Sequence, residues 1–459
     1  MQGTDTFGTE GPRDRDASGE WTLAIALDCA RLGAPPLRLS LAGVTEVEIG
    51  RGALRAMTRA GTRLRMDLPD RWASQHHARL TRTENGWIAA DAGSKNGTRV
   101  NGRPLLRDDE PTALADGDVI ECGGTFLVIR SGGREGDVVD PKAPLPTLLT
   151  LAPALEREFA ILPRIARSRV PVIVRGESGT GKEVVASAIH ALSGRSGPLI
   201  AVNCGAIPAS LIESELFGSR RGAFSGAEDR HGLIRNAEHG TLFLDEVAEL
   251  PAPSQAALLR VLQDGEVLPL GAGKPITVDV RIVAATNRPL EELAEDGRFR
   301  RDLYARLRGY EVQLPPLKAR MEDLGLLISA LLDRLEPERR TDSASSRKLS
   351  LAAARALFLH RWPFHVRELE QTLRAAIAVA TGPEIGHDDL PATLRSTTAT
   401  PAPSGAAAAR SGVERTQLVA LLAKHRGNLS AVARELSTSR SQVHRLLARH
   451  ALTADGGER

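Results

Sequence analysis

Apolar positions follow three different rhythms along this chain. From Trp21 to Arg130 the pattern alternates with a period of two, and Leu37-Arg-Leu-Ser-Leu41, Val47-Glu-Ile49 and Leu64-Arg-Met-Asp-Leu68, with the unbroken run Phe126-Leu-Val-Ile129, read as short strands. Glycine-rich turns punctuate the runs at Glu84-Asn-Gly86, Lys95-Asn-Gly97, Asn101-Gly102 and Gly123-Gly124. Many short strands separated by turn residues predict an all-β sandwich. From about Thr147 to Asp389, strand and helix patterns follow one another, which predicts an α/β domain on a parallel sheet. Between Val413 and His450 the spacing is helical: Leu418, Leu421, Leu422, then Leu429, Val432, Leu436, then Val443, Leu446, Leu447. Gly427-Asn428 and Ser437-Thr-Ser439 interrupt that stretch, with Thr438 or Ser439 as an N-cap, so its pattern is helix-turn-helix.

The segments between these blocks have linker composition. Residues 1–20 form a polar, Gly/Asp-rich tail that is expected to be disordered, and the sandwich is expected over 21–131. A Gly/Pro-rich linker is expected over 132–146, the α/β domain over 147–392, and a second linker over 393–410. The helical unit fills 411–459. Three folded parts agree with a length of 459 residues at roughly 150 per domain, and 42% apolar residues suffice for their cores.

Charge changes the picture only locally. The net charge is +3, so the chain is no polycation, and any nucleic-acid contact must come from a patch. Ser411–Ala451 supplies one, with seven Arg/Lys against two Glu. Arg440, Ser441, Gln442, His444 and Arg445 fall on its second helix, where Gln and Arg can read A and G edges in a major groove. Cys29, Cys122 and Cys204 are too far apart for a zinc module or a disulfide framework. No run approaches 18 apolar residues and no signal peptide is visible. The expectation is a soluble cytoplasmic protein with no membrane association.

The clearest chemistry lies at the start of the α/β block. Val170-Pro-Val-Ile-Val174 leads into Gly176-Glu177-Ser178-Gly179-Thr180-Gly181-Lys182-Glu183 and then into a helical stretch. Strand, glycine loop and helix in that order confirm a P-loop for ATP. Backbone N–H groups wrap phosphate oxygens, the helix N-terminus adds partial positive charge, and Lys182 reaches the β- and γ-phosphates. Glu183 stands where the generic motif has a hydroxyl ligand for Mg²⁺, so either another hydroxyl or water takes that position. Thr241-Leu-Phe-Leu-Asp245-Glu246 is a buried strand ending in two acids. Asp245 suits a Mg²⁺ ligand, and Glu246 suits the group that polarises the attacking water. Val280–Asn287 is a further buried strand, whose polar end at Asn287 can sense the γ-phosphate.

These motifs, with Glu215-Leu-Phe-Gly218, Arg221-Gly-Ala-Phe-Ser-Gly-Ala227, Phe299-Arg-Arg-Asp-Leu303, Leu314-Pro-Pro-Leu317 and Trp362…Val366-Arg-Glu-Leu369, resemble the AAA+ domain of sigma-54-dependent transcriptional activators. The resemblance covers about Leu162–Leu390. It implies a hexameric ring of identical subunits that hydrolyses ATP to remodel sigma-54 RNA polymerase at promoters, with a helical lid over about 320–392. Gly222, Ala223, Phe224, Ser225, Gly226 and Ala227 correspond to the family's sigma-gripping loop, with Ser225 in place of the usual Thr. Arg300 and Arg306 match its trans-acting arginine fingers, Asn203 its switch residue, and Arg367 the sensor arginine of the lid. Phe364-His365 replaces the usual Gly-Asn before that arginine.

Gly50-Arg51, Ser74-Gln-His-His77 and Asp91-Ala-Gly-Ser-Lys-Asn96-Gly-Thr98 resemble a forkhead-associated (FHA) domain, a phosphothreonine reader. That resemblance implies phosphopeptide contacts from Arg51, Ser74, Gln75 and Asn96, with His77 as a loop buttress. The stretch between Arg51 and Ser74 is long for the family. The C-terminal block resembles the Fis-type DNA-binding module. A remodelling ATPase without a promoter role and a repressor with a vestigial ring are the rival readings. The first does not account for Gly222–Ala227 beside a basic helix-turn-helix, and an ATPase assay tests the second.

Overall fold

The computed structural model describes residues 20–105, 110–133, 142–223, 228–338 and 347–395, together with 421, 424 and 425. The chain divides into two compact units, Met1–Thr398 and Ala399–Arg459. Residues 1–19 of the tail expected over 1–20, the expected sigma-loop residues Phe224, Ser225, Gly226 and Ala227, and the expected DNA-contacting residues Arg440, Ser441, Gln442, His444 and Arg445 lie outside the described residues; Glu20 already belongs to a strand.

The N-terminal part is a sandwich of two six-stranded sheets. Its strands are β1 (Glu20–Asp28), β2 (Leu37–Ser40), β3 (Glu46–Arg51), β4 (Ala56–Ala60), β5 (Arg63–Leu68) and β6 (Ala78–Thr83). They continue with β7 (Gly86–Asp91), β8 (Thr98–Val100), β9 (Arg103–Pro104), β10 (Thr112–Leu114), β11 (Val119–Cys122) and β12 (Thr125–Gly133). One sheet runs β2-β1-β12-β11-β8-β9, the other β10-β7-β6-β3-β5-β4. The alternation works as expected in β3 and β5, where Val47, Ile49, Leu64, Met66 and Leu68 point inward. The long stretch after Arg51 holds the β4–β5 hairpin, whose second strand pairs parallel with β3.

The α/β part begins with α1 (Pro153–Arg167), β13 (Val172–Arg175), α2 (Lys182–Ser193), β14 (Leu199–Asn203) and α3 (Ile212–Phe217). A small ribbon, β15 (Gly218–Ser219) with β16 (Arg230–His231), precedes α4 (Leu233–Asn236) and β17 (Thr241–Asp245). Then come α5 (Ala252–Asp264), β18 (Glu266–Val267), β19 (Ile276–Thr277), β20 (Arg281–Thr286), α6 (Leu290–Glu295), α7 (Arg301–Leu307) and β21 (Tyr310–Gln313). The main sheet has the order β14-β17-β20-β13-β21, and every described pairing in it is parallel. β13 starts at Val172 rather than Val170, because Pro171 has no N–H to give to a ladder.

The lid comprises α8 (Leu324–Leu335), β22 (Lys348–Leu349), α9 (Leu351–Leu359), α10 (His365–Val379), β23 (Glu384–Ile385) and α11 (Ala392–Arg395). The last element corrects the expected linker start at 393. Leu394 is buried in the lid core, so the domain runs through Arg395. The expected linker over 132–146 is also shorter than its composition implied. β12 reaches Gly133, and Ala143 and Leu145 pack on the α/β core.

Sandwich and lid share one apolar core. Along β12, Leu127 and Ile129 face the sandwich interior, while Phe126 and Val128 face the lid. Phe126 stacks on Phe358 of α9 with ring centroids 4.7 Å apart. A bulge in β1 between Ile25 and Leu27 turns both Ala26 and Leu27 toward α8. There Gly325 permits a backbone approach that no side chain could share, since a Cβ at that position would stand 2.0 Å from Ala26 O.

Candidate functional site

Parallel strands end together at one edge of a sheet, and ligands of such sheets bind outside that edge. Here β14 ends in Asn203, directly paired with Asp245 at the end of β17. β13 ends in Arg175, paired with Thr286 at the end of β20. The loop 176–181 follows β13 and passes into α2 at Lys182. Gly179 and Gly181 hold φ of 87° and 106°, a region closed to most side chains, so the loop requires glycine at both positions. Thr180 is buried and donates to Glu177 O (2.8 Å). Lys182 Nζ donates to Gly176 O (3.1 Å) and Glu177 O (3.2 Å). Burial pulls the Lys182 ammonium below its ordinary pKa; Asp245 and Glu246 oppose that, and Arg367 adds to it. All four charges therefore lie in one field around the glycine loop. Glu183 is exposed in the first turn of α2.

Glu246 sits in the left-handed region at φ 55°, a conformation that costs a non-glycine residue about 1–3 kcal/mol. It caps a 3-10 turn, and its N–H donates to Asp245 Oδ1 (3.1 Å). The Glu246 carboxylate and the Asn203 amide oxygen converge on Gly205. Asn203 Oδ1 accepts from Gly205 N (2.9 Å) and Ala206 N (3.1 Å). Asn287 is exposed just past the end of β20. No cluster of three or more His, Cys, Asp or Glu among the described residues forms a metal cage by itself. A lone Asp245 carboxylate beside a phosphate cradle fits Mg²⁺, which takes one or two carboxylates and completes its shell with phosphate and water.

The lid closes onto the same loop. Val366 N–H donates to Gly179 O (2.9 Å), and Arg367 Nη1 donates to Ser178 Oγ (2.9 Å). His365 is buried at φ 53°, with Nε2 3.1 Å from Glu177 Oε2. Phe364 stays exposed, so the turn accommodates both unusual residues. The motifs alone did not reveal Arg320. It is buried, desolvation lowers its pKa, and its Nη2 donates to Thr180 O (2.6 Å). Only its place after Leu314-Pro-Pro-Leu317 could have marked it.

Arg300 is the N-cap residue of α7, and Arg306 lies in its last turn. Arg300 is exposed and forks onto Asp302 (2.7 and 3.0 Å); Arg306 Nε donates to Leu262 O (3.1 Å). Gly222 and Ala223 rise from the β15–β16 ribbon. Its base is fixed by Ser219 Oγ donating to Glu228 O (2.8 Å) and by Arg220 N–H donating to Leu270 O (2.9 Å).

In the sandwich, loops at one end gather Arg51, Ser74, Gln75 and Asn96. A Cβ at Gly50 would meet Gln75 O at 1.9 Å, so glycine is required where the loop 74–77 crosses β3. Arg51 N–H donates to Ser74 O (2.8 Å), while its guanidinium has no described partner. A cavity of about 390 Å³ opens there, lined by Arg51, Gly52, Ala53 and Gln75. Ser74 Oγ accepts from Lys95 N (3.0 Å), and Asn96 Nδ2 donates to Trp72 O (2.7 Å). His77 is fully buried, with Nδ1 accepting from Ser74 N (2.9 Å) and Nε2 facing Gly97 O (3.3 Å). It buttresses the loops rather than lining the cavity. Asp91 accepts from Gly93, Ser94 and Thr98, which shapes the loop carrying Asn96. Asp70, which the motifs did not mark, joins the loop before Ser74 to the β11–β12 turn.

A glycine cradle at a parallel sheet edge, two strand-end acids and a lid arginine on the cradle define a AAA+ P-loop domain. Residues 148–313 match the Sigma-54 interaction domain family and 318–407 the AAA+ ATPase lid domain. Residues 47–123 match the FHA domain, and 409–450 match the Bacterial regulatory protein, Fis family. Among curated proteins, the Acetoin catabolism regulatory protein of Cupriavidus necator is 42% identical over 66% of this chain and 47% of its own length. Transcriptional regulatory protein GlrR of Escherichia coli (strain K12) is 42% identical over 67% of this chain and 69% of its own. A crystal structure of NtrX from Brucella abortus in complex with ADP is 31% identical, covering 66% of this chain and 70% of that one, with a TM-score of 0.49. The chain spans about half the length of several of the curated relatives it matches. It belongs to the sigma-54-dependent transcriptional activators, with an FHA domain ahead of the AAA+ and Fis-type domains.

Proposed function

We propose that this chain is an ATP-driven activator of sigma-54 RNA polymerase, bound to promoter or enhancer DNA and regulated by a phosphothreonine protein. The glycine loop, with Lys182 on its carbonyls, Arg367 on Ser178, and Asp245 and Glu246 at the carboxyl end of the same parallel sheet, carries the ATPase reading. Backbone N–H groups of 176–182 hold the phosphates, and Lys182 meets the β- and γ-oxygens. Asp245 would hold Mg²⁺, which would neutralise phosphate charge there. Glu246, fixed in its left-handed turn, polarises the attacking water. Asn203 relays nucleotide state from beside Glu246, and Asn287 and Arg367 sense the γ-phosphate. Arg300 and Arg306 act on the ATP of the neighbouring subunit in a hexameric ring, which makes head-to-tail assembly necessary for turnover.

Turnover drives Gly222–Ala227 against sigma-54, with Phe224 as the gripping side chain and Ser225 supplying the hydroxyl. The basic C-terminal block holds DNA through Arg440, Ser441, Gln442, His444 and Arg445. The Arg51 pocket takes a phosphothreonine peptide, since a free guanidinium fork matches a dianionic phosphate. Such a protein works in the cytoplasm. The domain limits that follow are 20–133 for the FHA domain, 143–395 for the AAA+ domain with its lid, and 411–459 for the DNA-binding unit. Open-complex formation at a sigma-54 promoter tests this reading. The intact chain with ATP should open the promoter, and Phe224→Ala should hydrolyse ATP yet fail to open it. Full promoter opening by that variant would remove the gripping role.

A further inference from the structure

The sandwich does more than precede the nucleotide domain; it spans the two halves that enclose the nucleotide site. One foot stands on the α/β body. Arg38 of β2, 6% exposed, donates from Nη1 to Leu151 O (3.0 Å) and from Nη2 to Glu156 of α1 (2.5 Å). The other foot stands on the lid. Arg130 of β12 grips the buried Glu322 at 2.7–2.9 Å. Glu121 of β11 takes Arg355 of α9 in a fork at 2.6 and 2.8 Å, beside the Phe126–Phe358 stack. Hinge closure around a ligand requires the two halves of a cleft to change angle. Here a change of lid angle must break one foot or strain the sandwich between them.

The phosphate-binding end of the sandwich is tied to the same foot. Asp70, 8% exposed, accepts from Trp72 N (2.8 Å), Gly124 N (2.7 Å) and Thr125 Oγ1 (3.1 Å). It thereby joins the loop that carries Ser74 and Gln75 to the start of β12, next to Phe126. The turn at Gly123 is wedged against that loop, where a Cβ would meet Ala73 N at 2.8 Å.

We infer that the sandwich braces the nucleotide cleft, coupling phosphothreonine occupancy to nucleotide occupancy, with Asp70 and Arg38 as positioning residues. This rests on the phosphothreonine reading of the Arg51 pocket. A ligand that orders the 70–75 loop acts on β12 and so on the lid angle. By linkage, nucleotide then changes peptide affinity by the same factor as peptide changes nucleotide affinity.

The test uses the full chain, a fluorescent peptide library degenerate around a fixed phosphothreonine, its unphosphorylated counterpart, and ATPγS. Saturating ATPγS should shift the apparent library Kd by about fivefold or more, and saturating library should shift the ATPγS Kd by the same factor. Arg38→Ala and Asp70→Asn should each bring that factor toward one while still binding both probes. Arg38→Ala sits at the domain junction, away from both pockets, so it decides the matter even if Asp70→Asn fails to fold. Binding of both probes with a factor of one in the intact chain overturns the brace, as does full coupling in Arg38→Ala. Absence of phosphothreonine-specific binding removes the reading of the Arg51 pocket, and this inference with it.

Discussion

Arg51 stands at the loop end of an antiparallel sandwich, its guanidinium exposed and unpaired by any described residue. Lys182 lies buried at the carboxyl edge of a parallel sheet, its ammonium already held by two loop carbonyls. The first site is assembled from three loops far apart in sequence, and each loop contributes one or two side chains. In the second, one contiguous glycine turn forms the cradle, while Asp245, Glu246 and Arg367 come to it from other elements. The difference teaches where each end is vulnerable. On the proposed reading, the sandwich pocket should fail when Arg51 is removed, whereas the cradle should keep its ligand when Glu246 is removed.

The largest effect expected from this contrast is at Glu246. Glu246→Gln should leave ATP affinity nearly unchanged and lower kcat by about 10²–10⁴-fold, as removal of a general base does. Paired nucleotide-binding and turnover assays check it, and undiminished turnover would contradict the role. Next comes the joint between the two ends. Phe126→Ala should cost about 3–5 kcal/mol in denaturant unfolding, because it empties a buried aromatic site shared by sandwich and lid. A cost under about 1 kcal/mol would show that the two domains do not share a working core.

Much of this architecture was legible because its signals are local. The glycine loop lies between a strand and a helix within twenty residues, and Asp245-Glu246 ends an apolar strand. What stayed hidden depends on pairs far apart in the chain. Arg320 is one arginine among 53, and nothing in its neighbourhood says that it is buried against Thr180. Asp70 precedes the Ser74 motif like an ordinary turn acid, and two of its partners, Gly124 and Thr125, lie more than fifty residues away. Phe126-Leu-Val-Ile129 reads as a strand, yet its apolar residues do not alternate with polar ones. Both faces of β12 are covered, one by the opposite sheet and one by the lid, and unbroken runs are what such strands show. The expected linker at 393 misjudged a stretch whose one apolar anchor, Leu394, holds a final turn of helix in the lid.

Smaller effects separate binding from folding at the sandwich end. Arg51→Ala should weaken phosphothreonine binding by roughly 10–10²-fold, the loss of one or two charge-assisted hydrogen bonds. Its unfolding midpoint and ATP affinity should not move, because its guanidinium supports no described contact. A shifted midpoint would mean the side chain is structural. Asp91→Asn should cost about 1–2 kcal/mol, since the carboxylate accepts from backbone and hydroxyl donors of its loop. Burial works against ionisation of Asp91, but those donors outweigh it and hold its pKa below the usual 3.8. The ionised group therefore stabilises the fold fully above that value. The contribution disappears as pH falls through the lower folded value, and acid unfolding of Asp91→Asn should lack that component.

One measurement bears most directly on the claim that ATP chemistry moves the Phe224 loop against the polymerase's specificity subunit. Purified sigma-54 is passed over the immobilised full chain with no nucleotide, with ADP, with ATPγS and with ADP–aluminium fluoride. Retention should appear with the transition-state analogue and vanish in Phe224→Ala. No retention in any nucleotide state would contradict the account.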